Sequence, residues 1–154
     1  MRAIDELLAD VPVFEGMPAE QLALIAGCAS NRVFEDGAYL LREGEPADAF
    51  YVIRRGDAAL ETYVPQRGAL ILQTLHAGDV LGWSWLVAPY RTAFDARAIG
   101  DVHAMEFDGR CLRGKCEEDH DLGYDLLTRF AVVIVQRLQA TRLQLLDVYG
   151  HAVG

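Results

Sequence analysis

Between Asn31 and Phe107 the chain is cut by glycine into short apolar runs, and this limits the folds open to it more than any other feature. Stretches rich in Val, Ile, Leu, Phe and Tyr alternate with turn residues at a spacing that suits strands. "FYVIRRGD" and "AALETYV" are separated by Gly56-Asp57, which reads as a tight hairpin. "YVPQRGALILQTLHAGD" reads as a strand end, a turn with Pro65 and Gly68, a strand, and a turn at Gly78-Asp79. Seven or eight strands spaced in this way predict an antiparallel sandwich or jelly roll.

A helical segment is expected on each side of the β region. In "AIDELLADVPVF", Ile4, Leu7, Leu8 and Val11 fall on one helix face. Pro18 opens a second helix, "PAEQLALIAGCAS", because proline suits the first helical turn. Beyond the β region, Leu127, Ala131, Ile134, Leu138, Thr141, Leu145 and Val148 step alternately by four and three, a heptad seam. Glu117, Glu118 and Asp119 precede it, where acids suit the positive end of a helix, and Gly150 is the expected stop. About 28 residues at ~1.5 Å rise make a rod roughly 40 Å long, more than a compact β core of this size covers. Such a helix either lies wholly on its own domain or pairs its outer part with a second copy. The seam favours the second, with Leu127, Ala131, Ile134, Leu138, Leu145 and Val148 as the homodimer interface. Thr141, inside this seam, then needs a hydrogen-bond partner or a ligand, because a buried unpaired hydroxyl is costly. At 154 residues the chain forms one domain, mainly β with flanking helices: helical over 1–30, a β-roll over 31–107, and helical again over 108–150.

Composition excludes several functions. The net charge of −9, with no basic patch, repels a phosphate backbone, so direct nucleic-acid binding is not expected. No window approaches 18 uninterrupted apolar residues, and "MRAIDELLAD" has acids where a signal peptide has its apolar run. The expectation is a cytoplasmic protein with no membrane contact. Cys28, Cys111 and Cys116 are odd in number and lack metal-type spacing, which predicts reduced structural thiols. His76, His103, His120 and His151 are scattered. A metal-binding cupin needs a His-x-His pair, and "LHAGD" has one histidine. Ser30 and Ser84 lack a nucleophile elbow, and no Ser-His-Asp or Cys-His set follows from the spacing, so neither a metal centre nor an enzyme is expected. Arg54-Arg55 reads as a solvated turn.

At this level of detail the chain resembles the cyclic-nucleotide-binding domain family. The order of two short helices, a glycine-punctuated β-roll and a long terminal helix is similar. Gly37, Gly44, Gly56, Gly78 and Gly82 fall where that family has glycine. "EGEPADAFYVIRRG" is close to its "eGe-x-ad-x-fYvI-x-x-G", and "VPVFEGMPAEQLALIA" matches its opening. "QRLQATRLQLLDVYG" resembles the long dimerisation helix of catabolite activator proteins. The resemblance implies a β-roll that senses a small ligand, a cyclic nucleotide or another small anion, with no other cofactor. As the chain ends near where those proteins begin a DNA-reading domain, it also implies a stand-alone sensor whose output passes through a partner protein.

The resemblance further implies a phosphate-binding cassette after "AGD", of the form "fGE-x-a-l-l-(x)n-R-a-a". There, main-chain N–H groups at a short helix cradle the phosphate. An arginine pairs with its charge and a glutamate accepts from the ribose hydroxyl. In "AGDVLGWSWLVAPYRTAFDARA", Gly82 matches but Trp83 stands in the glutamate position. An indole has one donor and no acceptor, so the ribose anchor is missing. Counted without a gap, Thr92 falls at the arginine position. Arg91 serves only if the loop is one residue shorter before it and a bulge absorbs one residue after it. Thr141 falls where catabolite activator proteins have a hydroxyl residue that contacts the base. The candidate ligand residues are therefore Gly82, Trp83, Ser84, Trp85, Arg91, Thr92 and Thr141. Two readings of the tryptophans stand side by side: they fill a pocket that has lost its nucleotide, or they shape a modified one around an anion held by Arg91 and Ser84. Because the geometry of residues one apart depends on local structure, the pair is able to split, one side chain into the core and one toward the ligand.

Overall fold

The computed structural model describes the main chain of residues 3–153 and the side chains of residues 3–147. Within it, six strands form an antiparallel sheet that rolls on itself: β1 (Ala29–Phe34), β2 (Tyr39–Leu41), β3 (Ala49–Val64), β4 (Gly68–Leu75), β5 (Val80–Leu81) and β6 (Asp95–Asp108). The main path runs β1-β6-β3-β4, with β2 added to β6 and β5 to β3. The long strands β3 and β6 are the spine. Alternation places Phe50 and Val52 of β3, with Met105 and Phe107 of β6, in one core under the helices. The intervening Tyr51 and Ile53, with Val102 and Ala104, fill a second core inside the roll. The expected fold class, mainly β with flanking helices, is the observed one.

Two details of the β region differ from expectation. Six strands are described rather than seven or eight, and Gly56-Asp57 is not a hairpin. β3 runs through it, paired with β6 on both sides, with register shifts between Ile53 and Asp57. Gly56 has φ +95°, and a Cβ there would lie 2.4 Å from the Asp101 carbonyl oxygen. The glycine therefore permits a bulge that bends a continuous strand. A Gly-Asp pair suits either geometry, and the long β6 partner decides between them. The hairpin lies one turn later, where Val64 pairs with Gly68.

The helices are α1 (Ile4–Leu8), α2 (Ala19–Ala26), α3 (Gly109–Glu118) and α4 (His120–Val153). Pro18 is the N-cap of α2, and a 3-10 turn, Pro12–Phe14, separates it from α1. The Asp108 carboxylate caps α3, accepting from the N–H groups of Arg110 at 2.9 Å and Cys111 at 3.1 Å. α4 begins well before Leu127, because its first turns bury Leu122, Leu126 and Phe130 in the helix-side core. It also continues past Gly150. An interior glycine costs only about 1 kcal/mol relative to alanine, too little to stop an established helix. At 34 residues α4 is roughly 51 Å long. None of the described helices is long and apolar enough to cross a membrane. Its outer half shows the seam to solvent: Leu127, Leu138 and Leu145 are each more than half exposed, Ala131 and Thr141 are exposed, and Ile134 is partly so. Val148 lies outside the described side chains. The Thr141 hydroxyl donates to the Arg137 carbonyl at 2.9 Å, so the helix itself satisfies it.

The cysteine expectation is corrected. Cys28 and Cys111 form a disulfide, tying the end of α2 to α3, while Cys116 is free. Sequence spacing carried no signal for this pair, because 83 positions separate residues that only the fold brings together, at a Cα–Cα distance of 5.8 Å. Reduction, or Cys28→Ser with Cys111→Ser, is expected to lower the unfolding free energy by about 2–4 kcal/mol. Urea titrations with and without reductant measure it, and coincident curves would count against the bond.

Candidate ligand site

The site is built where β5 ends. Gly82, at φ +95°, turns the chain beneath Leu41, whose Cδ1 would sit 3.3 Å from an added Cβ. A 3-10 turn, Ser84–Leu86, follows and splits the two tryptophans. Trp85 is fully buried, stacked on Phe50 at 4.9 Å between ring centroids and edge-on to Phe130 at 5.3 Å. Arg113 donates to the Trp85 carbonyl at 2.7 Å, and the Trp85 indole N–H has no partner among the described residues. Trp83 turns the other way, half-buried and edge-on to Phe94 at 6.3 Å.

Gly82, Trp83, Ser84, Thr92, Phe94 and Arg137 line a cavity of about 20 Å³ inside the roll, closed elsewhere by Leu41, Leu60, Leu75 and Ala93. That is room for a single water. Ser84 and Thr92 are almost wholly buried, and no lining residue is a carboxylate.

Of the seven candidate residues, the structure brings four together at this cavity: Gly82, Trp83, Ser84 and Thr92. The structure places the other three away from it. Trp85 faces the helix-side core, because the 3-10 turn points it at Phe50 rather than into the roll. Arg91 is exposed and donates to the Gly44 carbonyl at 3.5 Å. Its loop is pinned to residues 44–47: the Ala47 N–H donates to the Tyr90 carbonyl at 2.8 Å and the Thr92 N–H to the Glu45 carbonyl at 2.9 Å. In this arrangement Arg91 stays outside the cavity and Thr92 lines it. Thr141 is outward, while Arg137, one turn earlier on α4, reaches the cavity. Arg137 donates to the Val80 carbonyl. Burial pulls its guanidinium below its ordinary value, against a smaller opposing effect of Asp79. The sequence held a signal for Arg137: with Leu126, Phe130 and Val133 it makes a 4, 3, 4 stripe, the domain-facing side of α4.

Comparison with known proteins bears on the fold and the family. A protein from Geobacter metallireducens GS-15, described as a cyclic nucleotide-binding protein, superposes with a TM-score of 0.78 at 25% identity, over 90% of this chain and 99% of that one. The regulatory domain of Toxoplasma gondii protein kinase A, solved with cyclic AMP, gives 0.68 at 25% identity, over 84% of this chain and 48% of that one. The sensor domain of the transcriptional regulator DNR from Pseudomonas aeruginosa gives 0.69 at 21% identity, over 88% and 91%. No curated protein sequence matches significantly. The model of the cyclic nucleotide-binding domain matches residues 31–119. Its span holds the bulged β3–β6 spine and the turn into the cavity, and the chain belongs to the cyclic nucleotide-binding domain family, a family of regulatory ligand-binding domains.

Proposed function

We propose that this chain is a regulatory sensor domain in which ordinary cyclic-nucleotide binding is weakened, and whose output passes through α4 to a second copy and on to a partner protein. One observation carries the reading. Trp83 lies edge-on to Phe94 over a cavity with room for one water, and the sequence resemblance puts Trp83 at the position of the family's ribose-binding carboxylate. An indole offers the ribose hydroxyl no acceptor. Loss of a charge-assisted hydrogen bond removes roughly 1.5–3 kcal/mol, about a tenfold to hundredfold loss of affinity. Exposure of Arg91 adds to that loss. The solvent-facing seam on α4 supports assembly with a second copy, which would cover Leu127, Leu138 and Leu145.

The small cavity also favours a second reading, an interaction domain that kept the fold and lost its ligand. Calorimetric titration with cyclic AMP and cyclic GMP, with the Trp83 fluorescence as a second signal, separates the two. The sensor reading expects weak, saturable binding in the range above about 100 μM. A complete absence of response to any small anion supports the second. A dissociation constant below about 1 μM, abolished by Arg91→Ala, overturns the proposed weakness of the cassette.

A further inference from the structure

We infer that Arg137 of α4, rather than an arginine of the cassette loop, is the residue that pairs with an anionic ligand at this site, and that the ligand presents a compact oxyanion such as a phosphate group. The inference rests on the sensor reading above and names the group that would hold the ligand.

Arg137 lines the cavity together with the nearly buried Ser84 and Thr92, whereas Arg91 lies outside it. A guanidinium remains charged at any working pH, so a half-buried one is expected beside a carboxylate. Arg97 donates to both oxygens of the buried Glu61, at 2.8 and 3.3 Å, and Arg129 to Asp125 at 2.8 Å, whereas Arg113, like Arg137, meets main-chain carbonyls. Carboxylates are abundant, 23 against 14 basic residues. Yet among the described residues no carboxylate forms an ion pair with Arg137, and its hydrogen bond goes to the Val80 carbonyl. Asp79, next to that carbonyl, acts on it only at longer range. The cavity wall thus holds a cation without a contact ion pair and two hydroxyls, and no carboxylate lines it, while Asp79 lines the neighbouring cleft and acts on Arg137 from there. On its other side Arg137 borders a cleft of about 260 Å³ between α4, Pro12 and the Gly78-Asp79 turn. Arg137 therefore lines both the cleft and the small cavity. An oxyanion larger than water is admitted when Arg137 leaves the Val80 carbonyl and Trp83 parts from Phe94. Arg137 is also the sequence neighbour of Leu138 in the seam.

The test follows the two indole N–H signals by nuclear magnetic resonance, with Trp83→Phe for assignment, in titrations with inorganic phosphate and separately with cyclic AMP to about 10 mM. A saturable movement of the Trp83 signal is expected with at least one probe. Response to phosphate identifies the free anion as sufficient; response to cyclic AMP alone identifies an esterified one. Arg137→Gln is expected to weaken binding at least tenfold, Arg137→Lys to restore part of it, and Arg91→Gln to leave it unchanged. A purely structural Arg137 would lower the unfolding midpoint in Arg137→Gln without altering the affinity of the remaining folded protein, and that result overturns the inference. So does the absence of any saturable movement in the wild type. Weak binding that depends on Arg91 sinks this inference and leaves the sensor reading standing. Sub-micromolar cyclic AMP binding that depends on Arg137 does the reverse to the proposed weakness.

Discussion

Trp85→Ala is expected to cost about 3–5 kcal/mol of unfolding free energy, the range for deleting a large aromatic from a core. The side chain is fully buried between Phe50 and Phe130, and Gly109 sits so close that an added Cβ would lie 3.0 Å from the Trp85 Cβ. Little can collapse into the space, because its neighbours are themselves held in ring-to-ring contact, Phe50 on Phe107 at 4.4 Å. Against a typical domain stability of about 5–15 kcal/mol, the loss brings the protein near the edge of folding. Trp85→Phe, which keeps the stack, provides a foldable intermediate with a smaller loss. Trp83→Ala, at a half-buried position at the margin of the helix-side core with one edge-on ring contact, is expected to cost about 1–2 kcal/mol. Urea unfolding of the three variants measures the contrast. Equal losses for the two alanine variants would refute the assignment of one tryptophan to the core and one to the cavity.

The other large effect is on assembly. Leu138→Glu is expected to turn a dimer into a monomer that is still folded. Leu138 is 66% exposed in the single chain, so the substitution should change folding stability by no more than about 0.5 kcal/mol. In a paired seam the same carboxylate is buried without a partner, at about 3–5 kcal/mol, or two to four orders of magnitude in the dimer constant. Ile134→Glu should act in the same direction, with some added cost to the monomer because Ile134 is partly buried. Light scattering reads the mass and circular dichroism the fold. Wild-type protein that is monomeric at about 100 μM would refute the dimer.

Much of this architecture was legible in the sequence because it follows from periodicity and from glycine. The β-roll, the two short helices and the long terminal helix all carry patterns that local chemistry imposes. Tertiary partners settled what those patterns left open. Gly56-Asp57 fits a hairpin or a bulge equally well, and only the pairing of β3 with β6 selects the bulge. Gly150 reads as a stop, but a helix anchored by Leu122, Leu126 and Phe130 runs through it. Of the candidate residues, Gly82 to Ser84 follow one another through a local turn and line the cavity together. That Thr92 lines the cavity and Arg91 does not follows from hydrogen bonds to residues 44–47, nearly fifty positions away. The disulfide left no signal because it depends on a meeting between distant segments, whereas the place of Arg137 on the domain-facing stripe of α4 was readable from its spacing.

The bulged spine has one more consequence. Because Phe50 and Val52 belong to one core and Tyr51 and Ile53 to the other, a single strand stitches both cores together residue by residue. Neither layer can melt while the other stays ordered, since losing β3 from one face removes it from both. The domain therefore behaves as a single cooperative foldon, despite having two separate apolar interiors, and the amides of β3 and β6 should exchange with solvent only when the whole molecule opens.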